Sequence, residues 1–252
     1  MTDFSTIILA AVAGLFGGAM NALAGGGTFA TLPALIALGL PANIANATSN
    51  FALLPGAVAS SWTYRDEIAP VGGVDWRLLL GITFLSSLVG SLLLVVTPGH
   101  AFDEIIPWLL LIAFVTIAFG GRAGAWLRAR TQIGTPTLVT TQILLGVYGG
   151  YFGGGVGIMA TAVFGLLAGI HPREVFAMRT AMLATANLAA AFIFIWFGMV
   201  AWGPALPMIA GGVLGGWLGA HVGKRLSHGI VRWGTILITA ATTLAFFHRA
   251  YG

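Results

Sequence analysis

Ten apolar runs, each closed by a charge, a glycine or a proline, account for most of the chain. They cover about 5–23, 28–40, 43–63, 78–97, 105–120, 137–152, 156–170, 175–198, 204–222 and 230–249. An upright crossing of a ~30 Å hydrocarbon core takes about 20 helical residues, and most of the runs reach or approach that length. Composition agrees. Of 252 residues, 58% are apolar and only 7% charged, against roughly 25% charged in a soluble domain. Eleven basic and seven acidic residues cannot clothe such a chain in water, which excludes a soluble enzyme, a nucleic-acid binder and a disordered protein. The absence of cysteine removes disulfides, thiolate metal sites and thiol catalysis. The amino end, MTDFSTII, lacks the positive stretch of a secretory signal, so the first apolar run is expected to be retained. The expected fold is an all-α polytopic membrane protein in a lipid bilayer.

The runs 28–40, 137–152 and 156–170 are short, at roughly 20–24 Å if helical. Each adjoins a triple glycine, Gly25–Gly27 or Gly153–Gly155. The triplets belong to an internal repeat. GLFGG at Gly14–Gly18 recurs as GVYGG at Gly146–Gly150, and LAGGGTFATLPALIALGLPANIANATSN pairs with YFGGGVGIMATAVFGLLAGIHPREVFAMRTA. The chain therefore divides into a first transmembrane repeat at 1–125, a basic linker at 126–132 and a second repeat at 133–252. Repeated halves of this kind are common in secondary transporters, whose site lies between the halves near the bilayer midplane.

Charge placement predicts the topology. If each glycine-broken pair is a there-and-back hairpin, one membrane face collects Arg65, Arg77, Arg122, Arg128, Arg130, Arg173, Lys224, Arg225 and Arg232. The other collects Asp3, Asp103, Glu104, the uncharged turn at 199–203, and Arg249. The basic face should be cytoplasmic. Each half then makes about three crossings plus a hairpin, an odd number. The second half is inverted relative to the first, and both termini are extracytoplasmic.

Several groups suit a small anion. A break at Gly25–Gly27 exposes backbone N–H groups at the start of a helix beginning at Thr28, and such an end attracts negative charge. Gly26, Gly27 and Thr28 are the first candidates, with Asn21 one turn earlier and Gly154 and Gly155 in the second copy. Tight turning or close helix packing also explains glycine runs. Asn43, Asn46 and Asn50 recur on one helical face after the first proline break, with Thr48 and Ser49 between them. They serve either a substrate or interhelical hydrogen bonds. Arg179 lies inside the 175–198 run, in the slot that matches Thr48. Embedded arginine costs at least ~2.5–3.5 kcal/mol on insertion scales, so it should face a cavity, a partner or the interface. A guanidinium near two helix starts suits sulfite, a sulfonate or a carboxylate; the competing role is a snorkelling residue of the cytoplasmic collar, paired with Glu174. Thr180 and Asn187 complete the candidate set.

Other features point to packing. Gly211, Gly215, Gly219 and Gly223 form a small-residue ladder, and Trp62, Trp76, Trp108, Trp126, Trp202 and Trp233 cluster near run ends as an aromatic belt. The seven carboxylates fall in loops or at run edges, away from the depth that proton relays occupy. No Gly-x-Ser-x-Gly elbow or His-Glu-x-x-His pair supports an enzyme.

The stretch GLFGGAMNALAGGGTFATLPALIALGLPANIANATSN resembles the first-half motif of the sulfite exporter TauE/SafE family of membrane permeases. Its Ala-Gly-Gly-Gly break, Pro-Ala-Leu leg, Gly-x-Pro and Thr-Ser carry the likeness, and the second copy resembles the repeated motif. The resemblance implies transport of sulfite, sulfonates, sulfoacetate, thiosulfate or other small organic acids. It maps the family motif onto Gly25, Gly26, Gly27, Thr48 and Ser49, and onto Gly153, Gly154, Gly155 and Thr180. Met178-Arg179-Thr180-Ala181 departs from the usual Gly-Thr-Ser of the second copy. The expected function is a secondary transporter of a small sulfur-containing anion in the bacterial inner membrane, working by alternating access at a midplane site. A passive anion channel and a non-transporting membrane assembly component are the alternatives. Neither a cofactor nor nucleic acid is implied; a homo-oligomer is compatible with the packing faces.

Overall fold

The computed structural model of the chain describes residues 4–128, 134–167, 172–223 and 228–252. Asp3, Arg130, Lys224 and Arg225 lie outside the described residues, as do the side chains of Arg122, Trp126, Arg128, Arg173 and Glu174. Among the described residues the fold is ten α-helices: α1 (Phe4–Ala24), α2 (Thr28–Ala37), α3 (Ala42–Thr63), α4 (Trp76–Val96), α5 (Gly99–Arg128), α6 (Thr135–Tyr151), α7 (Val156–Leu167), α8 (Pro172–Trp196), α9 (Trp202–Gly223) and α10 (His228–Tyr251). Six of these (α1, α4, α5, α8, α9 and α10) are long and apolar enough to cross a membrane. Helices answer the demand that every backbone polar group in lipid be satisfied within the chain.

On α4 the outer face is apolar and much of the inner face is small or polar. Leu85, Val89, Leu92 and Val96 are exposed, while Thr83, Ser86, Ser87, Gly90 and Ser91 are buried. A soluble helix has the reverse arrangement. Lipid is as apolar as leucine, so large side chains face outward and small ones let helices approach. The run expected to begin at 105 begins as a helix at Gly99, directly after Thr97 and Pro98. Asp103 and Glu104, expected in a loop, therefore lie in the second turn of α5. Carboxylates are favoured near a helix start, where the dipole is positive.

Two glycine seams set the packing. Between α1 and α9, a methyl added to Gly14, Gly18, Gly211 or Gly215 would overlap a backbone carbonyl of the facing helix, from Met208, Gly212, Ala11 and Leu15 respectively. Gly219 meets Ala19 in the same way. Ala11, Leu15 and Ala19 match Gly211, Gly215 and Gly219 in order, so the two helices run in the same direction. Between α4 and α6, Gly90 meets the Val147 carbonyl, Gly150 the Ser87 carbonyl and Gly146 the Ser86 hydroxyl. This seam is also polar: Ser87 Oγ donates to the Gly146 carbonyl at 2.9 Å, and Gln142 Nε2 donates to Thr83 Oγ1. Here too the helices are parallel. Each seam joins a helix from one sequence half to a helix from the other.

Two further contacts between the halves are antiparallel. α3 lies against α8, with Tyr64 packing edge-on to Phe176 at one end and Thr48 meeting Ala201 at the other. α5 lies against α10, where Trp108 packs on Phe247 and Arg232 Nη2 donates to the Ala118 carbonyl.

Candidate functional site at the two helix breaks

Both breaks are made by glycine in a conformation that other residues avoid. α1 stops because Gly25 takes φ +79° and turns its N–H back onto the Asn21 carbonyl at 2.9 Å and the Met20 carbonyl at 3.2 Å. α6 stops at Tyr151; past Phe152, Gly153 takes φ +73° and its N–H reaches the Tyr148 carbonyl at 3.3 Å. Left-handed glycine just past a helix is a common way to satisfy terminal carbonyls. Beyond each break the chain starts a new helix. The N–H groups of Gly26, Gly27 and Thr28, and of Gly154 and Gly155, find no backbone acceptor among the described residues.

The two breaks touch. Gly25 lies against Gly157 of α7, backbone to backbone. A methyl on Gly26 would come 3.2 Å from the Ile158 side chain, and one on Gly155 would come 3.1 Å from the Phe29 ring. Ile158 of the second break thus closes on the first, and Phe29 of the first closes on the second.

The long helices α3 and α8 hold these breaks from the side, each crossing to the opposite half. Asn46 Nδ2 donates to the Tyr151 carbonyl at 3.0 Å. Asn50 Nδ2 reaches the Phe152 carbonyl at 3.3 Å and the Asn46 carbonyl at 3.2 Å. Both asparagines cap the end of α6. Arg179 of α8 does the corresponding thing at α1, with Nη2 3.5 Å from the Ala22 carbonyl. Its guanidinium stacks over the Phe176 ring at 4.2 Å. Arg179 is only 6% exposed, so it does not snorkel outward. Its Nε is buried without a partner among the described residues. The ion pairs among the described residues, Arg65–Asp66 and Arg249–Asp103, leave it out.

The other candidate residues are placed less uniformly. Ser49 shares a hydrogen bond with Thr31 in α2, whose hydroxyl also donates to the Gly27 carbonyl at 3.2 Å, so Ser49 braces the first break. Asn21 packs its Cβ against Gly27. Thr28 is buried at the start of α2. Thr48 Oγ1 accepts from the Ala201 N–H at 3.0 Å, away from the breaks. Thr180 Oγ1 donates to the carbonyl of Ala177 in its own helix. Asn187 is 2% exposed, and its Oδ1 has no donor. Asn43 accepts from the neighbouring Ile44 N–H instead of joining its two stripe mates.

Two contributors were missed by sequence reasoning. The Tyr148 hydroxyl lies 2.9 Å from the Gly154 carbonyl and 3.1 Å from that of Leu109, and donates to one of them at the second break. Its signal was the lone tyrosine inside GVYGG. Gln142 was the other, a buried amide of the α4–α6 seam, away from the breaks, whose Oε1 lacks a donor among the described residues. A cleft of about 260 Å³ lies elsewhere, between the start of α5 and the end of α10, lined by His100, Asp103, Glu104, Phe246 and Arg249. It shares no residue with the breaks.

Comparison with known proteins bears on what this arrangement serves. The chain is 25% identical over 240 residues to "Probable membrane transporter protein YfcA" of Escherichia coli, covering 94% of this chain and 88% of that protein. A "Probable membrane transporter protein" of Haemophilus influenzae is 29% identical over 225 residues, 88% of each chain. "Probable membrane transporter protein ORF9" of a Sinorhizobium species is 30% identical over 222 residues, 85% of this chain and 80% of the relative. No solved structure matches. The sequence model of the sulfite exporter TauE/SafE family matches residues 10–246, nearly the whole chain, and the protein belongs to that family.

Proposed function

We propose that this membrane protein is a secondary carrier of a small sulfur-containing anion, such as sulfite, a sulfonate or sulfoacetate, in the bacterial inner membrane. The observation that carries this reading is Arg179. A buried guanidinium with a spare N–H and no carboxylate partner among the described residues is an incomplete charge. Burying an ion without a counter-ion costs several kcal/mol. A transported anion would complete it, and charge-assisted bonds to an oxyanion are among the stronger hydrogen bonds.

The surroundings favour the same ligand. Gly26, Gly27 and Thr28 offer free N–H groups at the start of α2, where partial positive charge gathers. Gly154 and Gly155 offer the same at the second break, and Asn21, Asn187 and Thr180 supply neutral polar groups nearby in the chain. Asn46, Asn50, Thr48 and Ser49 act in this reading mainly by fixing the backbone around the site. The names of the bacterial relatives support transport, and the family name supports sulfite chemistry.

The halves 1–125 and 133–252 are read as inverted repeats with both termini extracytoplasmic. Support comes from the opposite run of α3 and α8, and of α5 and α10, which occupy matching positions in the two halves. An exchange of access between the two sides then takes place around the touching breaks.

The test is counterflow in proteoliposomes loaded with sulfite or sulfoacetate. A carrier gives saturable uptake of labelled anion driven by unlabelled anion inside. Large unitary conductance in a planar bilayer, without counterflow, would overturn the carrier in favour of a channel.

A further inference from the structure

The two breaks are held by different chemistry. At the end of α6, the Tyr151 and Phe152 carbonyls accept from the neutral amides of Asn46 and Asn50, at 3.0 and 3.3 Å. At the end of α1, the Ala22 carbonyl accepts from a cation, Arg179, at 3.5 Å. That distance is at the long edge of a hydrogen bond. Among the described residues Arg179 also keeps Nε unpartnered, while Phe176 stacks on its guanidinium plane. An anion gains no net charge attraction when it displaces a carbonyl from an asparagine amide. It gains a full charge interaction when it displaces one from a guanidinium.

We propose that Arg179 is an exchangeable latch. In the anion-free protein the Ala22 carbonyl occupies it. The incoming anion takes the guanidinium over and releases the last turn of α1, while α6 stays clamped by Asn46 and Asn50. The inference rests on Arg179 being the anion's counter-charge and adds what binding does to the fold. Terminal carbonyls that lose a cationic partner leave the helix end uncompensated, and that turn frays. Because α1 is locked to α9 along the glycine seam, a change at its end is passed to the pair. The first break is then the anion-sensitive one and the second the fixed point.

The deciding measurement is hydrogen–deuterium exchange of the purified full-length protein, with and without anion. The probe is whichever of sulfite, thiosulfate, sulfoacetate and methanesulfonate raises the melting temperature most. Ligands ordinarily slow exchange. The latch requires the opposite in one place: amides at 20–25 should exchange about tenfold faster at saturating anion, while those at 148–153 stay unchanged. Arg179→Gln, which gives α1 a neutral clamp like that of α6, should lose the anion-dependent acceleration, and Arg179→Lys should keep it. Thermal stabilisation by the anion with unchanged or slower exchange at 20–25 overturns the latch and leaves the anion site standing. Absence of stabilisation by all four anions overturns both. If the Gln variant does not fold, the wild-type comparison decides alone.

Discussion

Gly25 and Gly157 face one another where the two broken hairpins meet. A methyl added to Gly25 would come 2.8 Å from the Gly157 Cα, and one added to Gly157 would come 2.9 Å from the Gly25 Cα. The two breaks are thus in direct backbone contact, at a spacing that leaves room for hydrogen alone. Gly157 sits inside α7, where alanine is intrinsically the better helix former by about 1 kcal/mol. Gly157→Ala therefore sets local preference against contact. The contact should win, with a net loss of about 1–2 kcal/mol, because overpacking between backbones cannot be relieved by a rotamer change. A melting temperature in detergent that rises would show that the breaks separate without cost.

A similar contrast separates the glycines of the seam from those that are merely present. Gly215→Ala places a methyl on the Leu15 carbonyl, whereas a methyl on Gly234 of α10 meets nothing within 4 Å. Gly215→Ala should destabilise by about 1–3 kcal/mol, and Gly234→Ala should be neutral or stabilising by up to about 1 kcal/mol. Equal melting temperatures for the two variants would remove the seam from the account of stability.

Arg179→Ala should weaken anion binding by about 10–100-fold, the worth of one or two hydrogen bonds to a charged group. The protein should still fold, since the variant removes a buried cation that is only half-satisfied among the described residues. Isothermal titration or a thermal-shift series with sulfite and sulfoacetate measures this directly. Affinity equal to that of the wild type would leave Arg179 a clamp on α1 alone.

The chain contains no cysteine, so single introduced cysteines report topology without background. Asp103→Cys and Arg225→Cys should react with a membrane-impermeant maleimide from opposite faces of the membrane, Asp103→Cys from outside and Arg225→Cys from the cytoplasm. Labelling of both from one face contradicts the inverted repeat.

Helix existence was legible because ten apolar runs correspond one to one with α1–α10, and the interruptions at Gly25–Gly27 and Gly153–Gly155 fall between helices. The start of α5 was misjudged because a carboxylate ends an apolar run without ending a helix. Pairing was not legible. Hydrophobic periodicity tells the inside of a soluble protein from its outside, but lipid and protein core are equally apolar, so α1 carries no sign that α9 is its neighbour beyond the glycines on each. The internal repeat pointed to a likeness between the triplets, not to contact between them. In the same way the stripe of Asn46 and Asn50 announced buried amides, while their acceptors lie about a hundred residues away in α6. No local signal encodes that separation.

The seam between α1 and α9 has a consequence for biogenesis. α1 ends at Ala24 and α9 begins at Trp202, so α1 must wait for α2 to α9 to be made before its glycine face is covered. At about 5–20 residues per second of synthesis, that wait is on the order of ten seconds or longer. During it, Gly14 and Gly18 present bare backbone to lipid or to the insertion machinery. Assembly is therefore not half by half. The chain threads into the bilayer with the glycine face of α1 uncovered, and synthesis of α9 closes that seam.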